Sequence, residues 1–284
     1  GDTAMSFLVL LLALLLEKFS GWRQRIQRDG FWLHWLASAE SNSRLSSAPE
    51  LALSLLVLLP VVLLGLLLLA IEPLMYGWLA LPVHLLVMIY CLGRGDVMAA
   101  LGPLRDAWRR GDVEAAYLVA ERDLGVGGEG PSSLLRNVQA YLLWQGFQGF
   151  FAVIFWYAVL GPLPALAYRL LAMVEAHSTQ APLRDQAARL RHILDWLPVR
   201  VLGLSFGLVG NFVAVTQTML HELLSWSIPA VRLLEDNALA AADIAEPEVG
   251  EAGVASLDTL WQLLIRSAVL WYGCLAIATL LWHS

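Results

Sequence analysis

Residues Leu51 to Ile71 read LALSLLVLLPVVLLGLLLLAI and carry no charged side chain. A helix of that length reaches about 30 Å, the thickness of a bilayer's hydrocarbon core. Gly77 to Leu92 is a second apolar stretch after the turn-like EPLMYG, and the two together predict a helical hairpin. The whole chain, 58% hydrophobic over 284 residues, exceeds the apolar share of a soluble domain. It is therefore expected to be an all-α, multispanning helical membrane protein in contact with a lipid bilayer.

Further apolar runs extend the count to between four and six crossings. Tyr141 to Ala172 is too long for one helix and is broken by GPLP at Gly161 to Pro164, because proline lacks a donor and restricts its predecessor. It is read as a span followed by a helix that re-enters the membrane or lies along it. Val199 to Val215, interrupted by Asn211, is expected inside a bundle or at the interface. Trp261 to Trp282 is the last span, with Trp261, Trp271, Tyr272 and Trp282 as interfacial and packing aromatics.

Between the spans the pattern turns polar. Residues Asp96 to Arg136 hold two amphipathic helices separated by a turn at Gly111, a small cytoplasmic helical layer. The GVGGEGP run from Gly125 to Pro131 lacks the lysine and the strand-to-helix context of a phosphate loop and reads as a linker. Residues 222–258 carry the acid excess and read as an acidic loop whose side is open. Gly1 to Ala4 reads as an addition ahead of Met5, and residues 5–284 as a single integral membrane domain. Met5 to Leu16 is expected to be a retained, partly buried helix. An intramembrane carboxylate is costly unless paired, so Glu17 at its end faces either a polar pocket or the boundary. Cys91 and Cys274 lie far apart in apolar runs and are expected to be buried thiols.

Charge placement sets the expected topology. The connection within the hairpin carries no Lys or Arg. Lys18, Arg23, Arg25, Arg28 and Arg44 precede it, and Arg94, Arg105, Arg109, Arg110, Arg122 and Arg136 follow it. Both flanks are therefore expected in the cytoplasm. The formal charge of −6 averages over these clusters and supports no nucleic-acid partner.

One stretch gathers chemistry. In LRHILDWLPVR, Leu190 to Arg200, helical spacing sets Asp195 four residues from Arg191 and three from His192, so it neutralises either. Pro198 is expected to end the helix and to deliver Arg200 at the membrane boundary. Two readings stand: a helix-end ion pair with a positive anchor, or a polar pocket for an anion such as phosphate. Elsewhere, Glu121-Arg122-Asp123 reads as an ion pair at a helix stop. His177, His192 and His221 lack metal-ligand spacing, and Ser132-Ser133 lacks a nucleophile turn.

RHILDWLPVR, with VIFW at Val153 to Trp156, AYR at Ala167 to Arg169 and the LLALLLEKF start, resembles the AmpE family over essentially the whole chain from Met5. The resemblance implies a multi-pass protein of the bacterial inner membrane, linked to β-lactamase regulation and peptidoglycan recycling. It implies as partners a small anionic envelope metabolite and cell-wall recycling proteins. A more distant similarity is to the CobD/CbiB membrane enzymes of cobalamin synthesis, which form an amide with ATP. Asp195, Trp196, Pro198 and Arg200 keep that family's frame, whereas Arg191 and His192 replace its paired aspartates. Gln145 and Gln148 stand where charged partners of metal or phosphate occur, and YRLLAMVE retains Tyr168, Arg169 and Glu175. Mg²⁺ with nucleotide phosphates needs hard, charged oxygen ligands, so the losses speak against Mg-ATP except under an alternative ligase reading. The ligand-binding candidates are Arg169, Glu175, Arg191, His192, Asp195, Arg200, Gln145, Gln148 and Glu17.

Overall fold

The computed structural model describes residues 2–19, 25–74, 78–93, 96–244 and 250–284, and every regular element among them is helical. In chain order these are α1 (Asp2–Phe19), α2 (Gly30–Ser41), α3 (Ser43–Ser46), α4 (Pro49–Ile71), α5 (Ala80–Cys91), α6 (Val97–Ala100), α7 (Gly102–Arg109) and α8 (Val113–Val119). They continue as α9 (Pro131–Leu160), α10 (Pro162–His177), α11 (Ala181–Val209), α12 (Phe212–Leu220), α13 (Ala230–Ala241) and α14 (Glu251–His283). Four of them, α4, α9, α11 and α14, are long and apolar enough to cross a membrane.

Several boundaries differ from those the hydropathy pattern predicts. The second arm of the expected hairpin, α5, has only 12 helical residues, about 18 Å at 1.5 Å per residue, short of a hydrocarbon core. The Val199 to Val215 run is divided: its first part completes α11, and Asn211 N-caps α12 by accepting the Ala214 N–H at 3.1 Å. Helix α13 and the first turns of α14 lie within residues 222–258; residues 245–249 are outside the described set. Cys91 is buried as expected, but Cys274 is exposed. The GPLP break stands as expected: α9 ends at Leu160, Gly161 takes φ 92°, and Pro162 opens α10 where its missing donor is harmless.

The described chain forms two compact units. The first holds residues 1–92, 152–195 and 275–284. In it α1 packs on α5, and α10 packs on α4, α5 and the end of α9. Its core joins Trp32 and Leu36 of α2, Leu53 and Leu56 of α4, Leu170 and Val174 of α10, and Leu183 of α11. Lipid tails are as apolar as leucine, so close packing and interhelical hydrogen bonds, rather than escape from water, hold such helices together. One polar tie of this kind is His84 Nδ1 with the buried Tyr157 hydroxyl at 3.0 Å.

Proline inside two spans is accommodated by the same device. Pro60 in α4 has no N–H to give the Leu56 carbonyl four residues back, and a π-helical turn at Ser54–Leu58 precedes it. The Trp32 indole N–H donates to that carbonyl at 3.1 Å. Pro198, expected to end its helix, instead lies within α11, which runs on to Val209. The carbonyl it leaves without a backbone donor, Leu194, accepts the Trp156 indole N–H at 3.0 Å. With the orphaned acceptor satisfied by a neighbouring helix, the proline no longer terminates the element.

Glu40, at the end of α2, clamps the turn between α10 and α11. Its carboxylate accepts the Ser178 hydroxyl at 2.6 Å, the Thr179 hydroxyl at 2.7 Å and the Thr179 N–H at 3.0 Å. Partial burial by itself would raise the Glu40 carboxyl, but these bonds outweigh it and hold the group below its usual value. A depressed folded value means that the clamp stabilises the fold above the unfolded carboxyl range and loses that contribution as pH falls through the folded value. Glu40→Gln is therefore expected to melt below the wild type near neutral pH and to converge with it in acid. Thermal unfolding in detergent across that range checks this; a constant gap at every pH would contradict it.

The second unit holds residues 93–151 and 196–274. Here α7 and α8 form the expected amphipathic pair about Gly111, which takes φ 71°. Arg105 of α7 reaches Asp258 of α14 at 2.5 Å. Gly93 donates its N–H to the Gly149 carbonyl at 2.7 Å, and a Cβ on Gly149 would come within 2.9 Å of the Gly93 Cα. Two glycines at that crossing let the backbones touch.

Candidate functional site

Helices α10 and α11 form an antiparallel hairpin in the first unit, and its inner face carries a buried polar network. Tyr168 and Glu175 are seven residues apart on α10, two turns, and so share one face. Arg191 and Asp195 share a face of α11 at i and i+4. Antiparallel pairing then matches Tyr168 with Asp195 and Glu175 with Arg191. The Tyr168 hydroxyl donates to Asp195 Oδ1 at 2.6 Å, and Arg191 Nη1 donates to Glu175 Oε2 at 2.6 Å. Arg191 Nη2 also lies 3.4 Å from the Tyr168 oxygen, and its guanidinium carbon is 5.4 Å from the tyrosine ring centre.

The network is graded from covered to open. Tyr168 is fully buried, Asp195 is 2% exposed and Arg191 5% exposed, while the Glu175 side chain is 37% exposed. Burial, and next the neighbouring Asp195 carboxylate, hold the Tyr168 phenol well above its usual value, so it stays protonated and acts as a donor. His192, three residues before Asp195 on α11, is half-buried. The result is a guanidinium held between two carboxylates, one of them buried and the other at the exposed edge.

The other sequence candidates take the following places. Arg169 is half-buried one position after Tyr168. Arg200 belongs to the second unit and binds main-chain carbonyls: its guanidinium donates to Leu223, to Trp196 at 2.9 Å and to Ser225 at 2.8 Å. It also stacks 4.1 Å from the Trp196 ring, so it fastens the segment after α12 to α11. Gln145 and Gln148 are half-buried along α9 in the second unit. The Glu17 side chain lies outside the described residues. Tyr168 is the member that residue-type reasoning left out of the candidate set; its seven-residue spacing from Glu175 was the available signal. Among the described residues, no three of His, Cys, Asp and Glu gather as a metal site.

A comparison with protein families matches residues 5–224 to the family described as regulatory signalling modulator protein AmpE. The chain belongs to the AmpE family. A curated relative, Protein AmpE of Shigella flexneri, is 29% identical over 158 residues, 51% of this chain. The chain covers 56% of that protein's length. No solved structure matches. The match to the AmpE family takes in both helices of the network, α10 and α11, and both indole caps. It stops short of α13 and α14.

Proposed function

We propose that this AmpE-family protein is a signalling modulator of the bacterial inner membrane that handles a small anionic envelope metabolite at the α10–α11 network. The observation that supports the reading is the Arg191–Glu175 pair: a buried guanidinium whose exposed partner is a carboxylate from its own chain. A ligand carboxylate or phosphate offers the same geometry to Arg191 and would displace Glu175. Glu175 sits near the end of α10, next to the turn clamped by Glu40, so displacement would alter the hairpin end and give a conformational readout. The basic flanks are proposed to be cytoplasmic, and residues 5–284 to act as one membrane domain with residues 96–136 as its cytoplasmic layer. The signal is proposed to concern β-lactamase control and peptidoglycan recycling, with recycling proteins as partners.

The opposite signs of two substitutions test this. Titrating purified protein in detergent with an anhydromuropeptide by calorimetry, Glu175→Gln is expected to bind about tenfold tighter, because the internal competitor loses its charge; tenfold corresponds to about 1.4 kcal/mol. Arg191→Gln is expected to abolish binding. Equal affinities for both variants and the wild type would sink the proposal. The frame shared with CobD/CbiB enzymes motivates one parallel titration, with Mg²⁺-ATP. Saturable binding that disappears in Asp195→Ala would replace this reading with an ATP-dependent amide ligase.

A further inference from the structure

The first unit contains a cavity that none of the network residues lines. With a volume of about 540 Å³, it lies between four helices, walled by Trp32 and Trp35 of α2, Pro60 and Leu63 of α4, Tyr90 of α5, and Leu166 and Leu170 of α10. That volume falls within the range of about 300–1,000 Å³ typical of ligand pockets. We propose that it is a lipid site that holds one acyl chain of a membrane phospholipid.

Continuity with the membrane-facing surface identifies the occupant. Helix α4 is the most apolar of the spans: an 18-residue stretch of it has mean hydropathy 3.0, and only 11% of that stretch is buried within the protein. Its open face displays Leu59, Leu63 and Leu66, so hydrocarbon must cover it, and Leu63 is also a wall of the cavity. The cavity is thus a recess in a surface that already faces lipid tails. Phe31, 86% exposed, stands at its edge on α2.

Polarity along the cavity sets the orientation of the chain. Helix α2 runs antiparallel to α4: the Trp32 indole meets Leu56, and after α3 the chain enters α4 at Pro49. Ser38 and His34 therefore lie toward the start of α4, the end at which Glu40 binds Ser178 and Thr179. Phe31 and Leu63 lie further along α4, toward its middle. A phospholipid places its ester and headgroup at the Ser38 end and its acyl chain against the tryptophans, as the preference of indole for the membrane interface favours.

The test counts retained lipid. Protein purified from membranes in mild detergent is examined by native mass spectrometry as wild type, Leu63→Trp, Ser38→Trp and Leu69→Trp. The first two substitutions fill the recess from its deep and polar ends. The third places the same bulk on α4 at an exposed position, 67% accessible, outside the cavity lining. The wild type and Leu69→Trp are expected to keep a bound phospholipid that Leu63→Trp and Ser38→Trp lose. Should a filling variant melt early, a photoreactive benzoylphenylalanine at Phe31 in the otherwise native chain must crosslink to an acyl chain. A wild type without lipid, equal loss in Leu69→Trp, or a retained molecule of isoprenoid rather than acyl mass would each overturn the assignment.

Discussion

Arg191→Ala is expected to destabilise the protein by about 3–5 kcal/mol, the cost of breaking a buried ion pair from its more covered side. The guanidinium is 5% exposed and lies between Glu175 and Asp195; removing it leaves Asp195, 2% exposed, facing a second carboxylate without the intervening charge. Glu175→Ala should cost clearly less, since its side chain is 37% exposed and water can replace part of what the arginine loses. Replacing Arg191 and Glu175 together by Met and Leu, with Asp195→Asn, should recover much of the loss, because desolvating the charges offsets most of their attraction. Unfolding titrations in detergent across this set give the comparison. An Arg191→Ala variant within about 1 kcal/mol of the wild type would mean that the guanidinium is solvated and the network weak.

The second large effect concerns the indole that caps α11. Trp156→Phe keeps the ring's apolar bulk but removes the N–H that serves the Leu194 carbonyl, leaving an acceptor unsatisfied inside an apolar span. A loss of about 1–3 kcal/mol is expected. The cause is separable from lost packing by a double-mutant cycle. In Pro198→Ala the new backbone N–H can itself donate to Leu194, so Trp156→Phe should cost less there than in the wild type. Additive effects would show that packing alone accounts for the tryptophan. Trp32 and Pro60 in α4 offer an independent repeat, with the Leu56 carbonyl as acceptor.

Much of the site was written in local spacing, and the rest depended on pairing between helices. Arg191 and Asp195 are neighbours on any helix through Leu190 to Arg200, and their grouping was plain without coordinates. Their partners were not. The Arg191–Glu175 bond follows from the length of the turn at Ser178 to Gln180 and the antiparallel register it imposes, which also brings Tyr168 onto Asp195. Arg200 illustrates the opposite case. It shares the motif with Asp195, yet lies five positions further along the helix, about 140° round at 100° per residue, and binds other carbonyls.

By itself the sequence determined the class of solvent and the class of fold: long uncharged runs need lipid, and backbone in lipid needs helices to satisfy its polar groups. It also determined the break at GPLP, where proline and a positive-φ glycine act within a few residues. Tertiary structure decided which prolines break a helix. Pro60 and Pro198 have the same covalent chemistry as the pair in GPLP, but each leaves its orphaned carbonyl beside an indole N–H from a residue distant in sequence. A proline's effect on a span is set by whether a donor arrives from elsewhere, and that arrival is a property of packing rather than of local sequence.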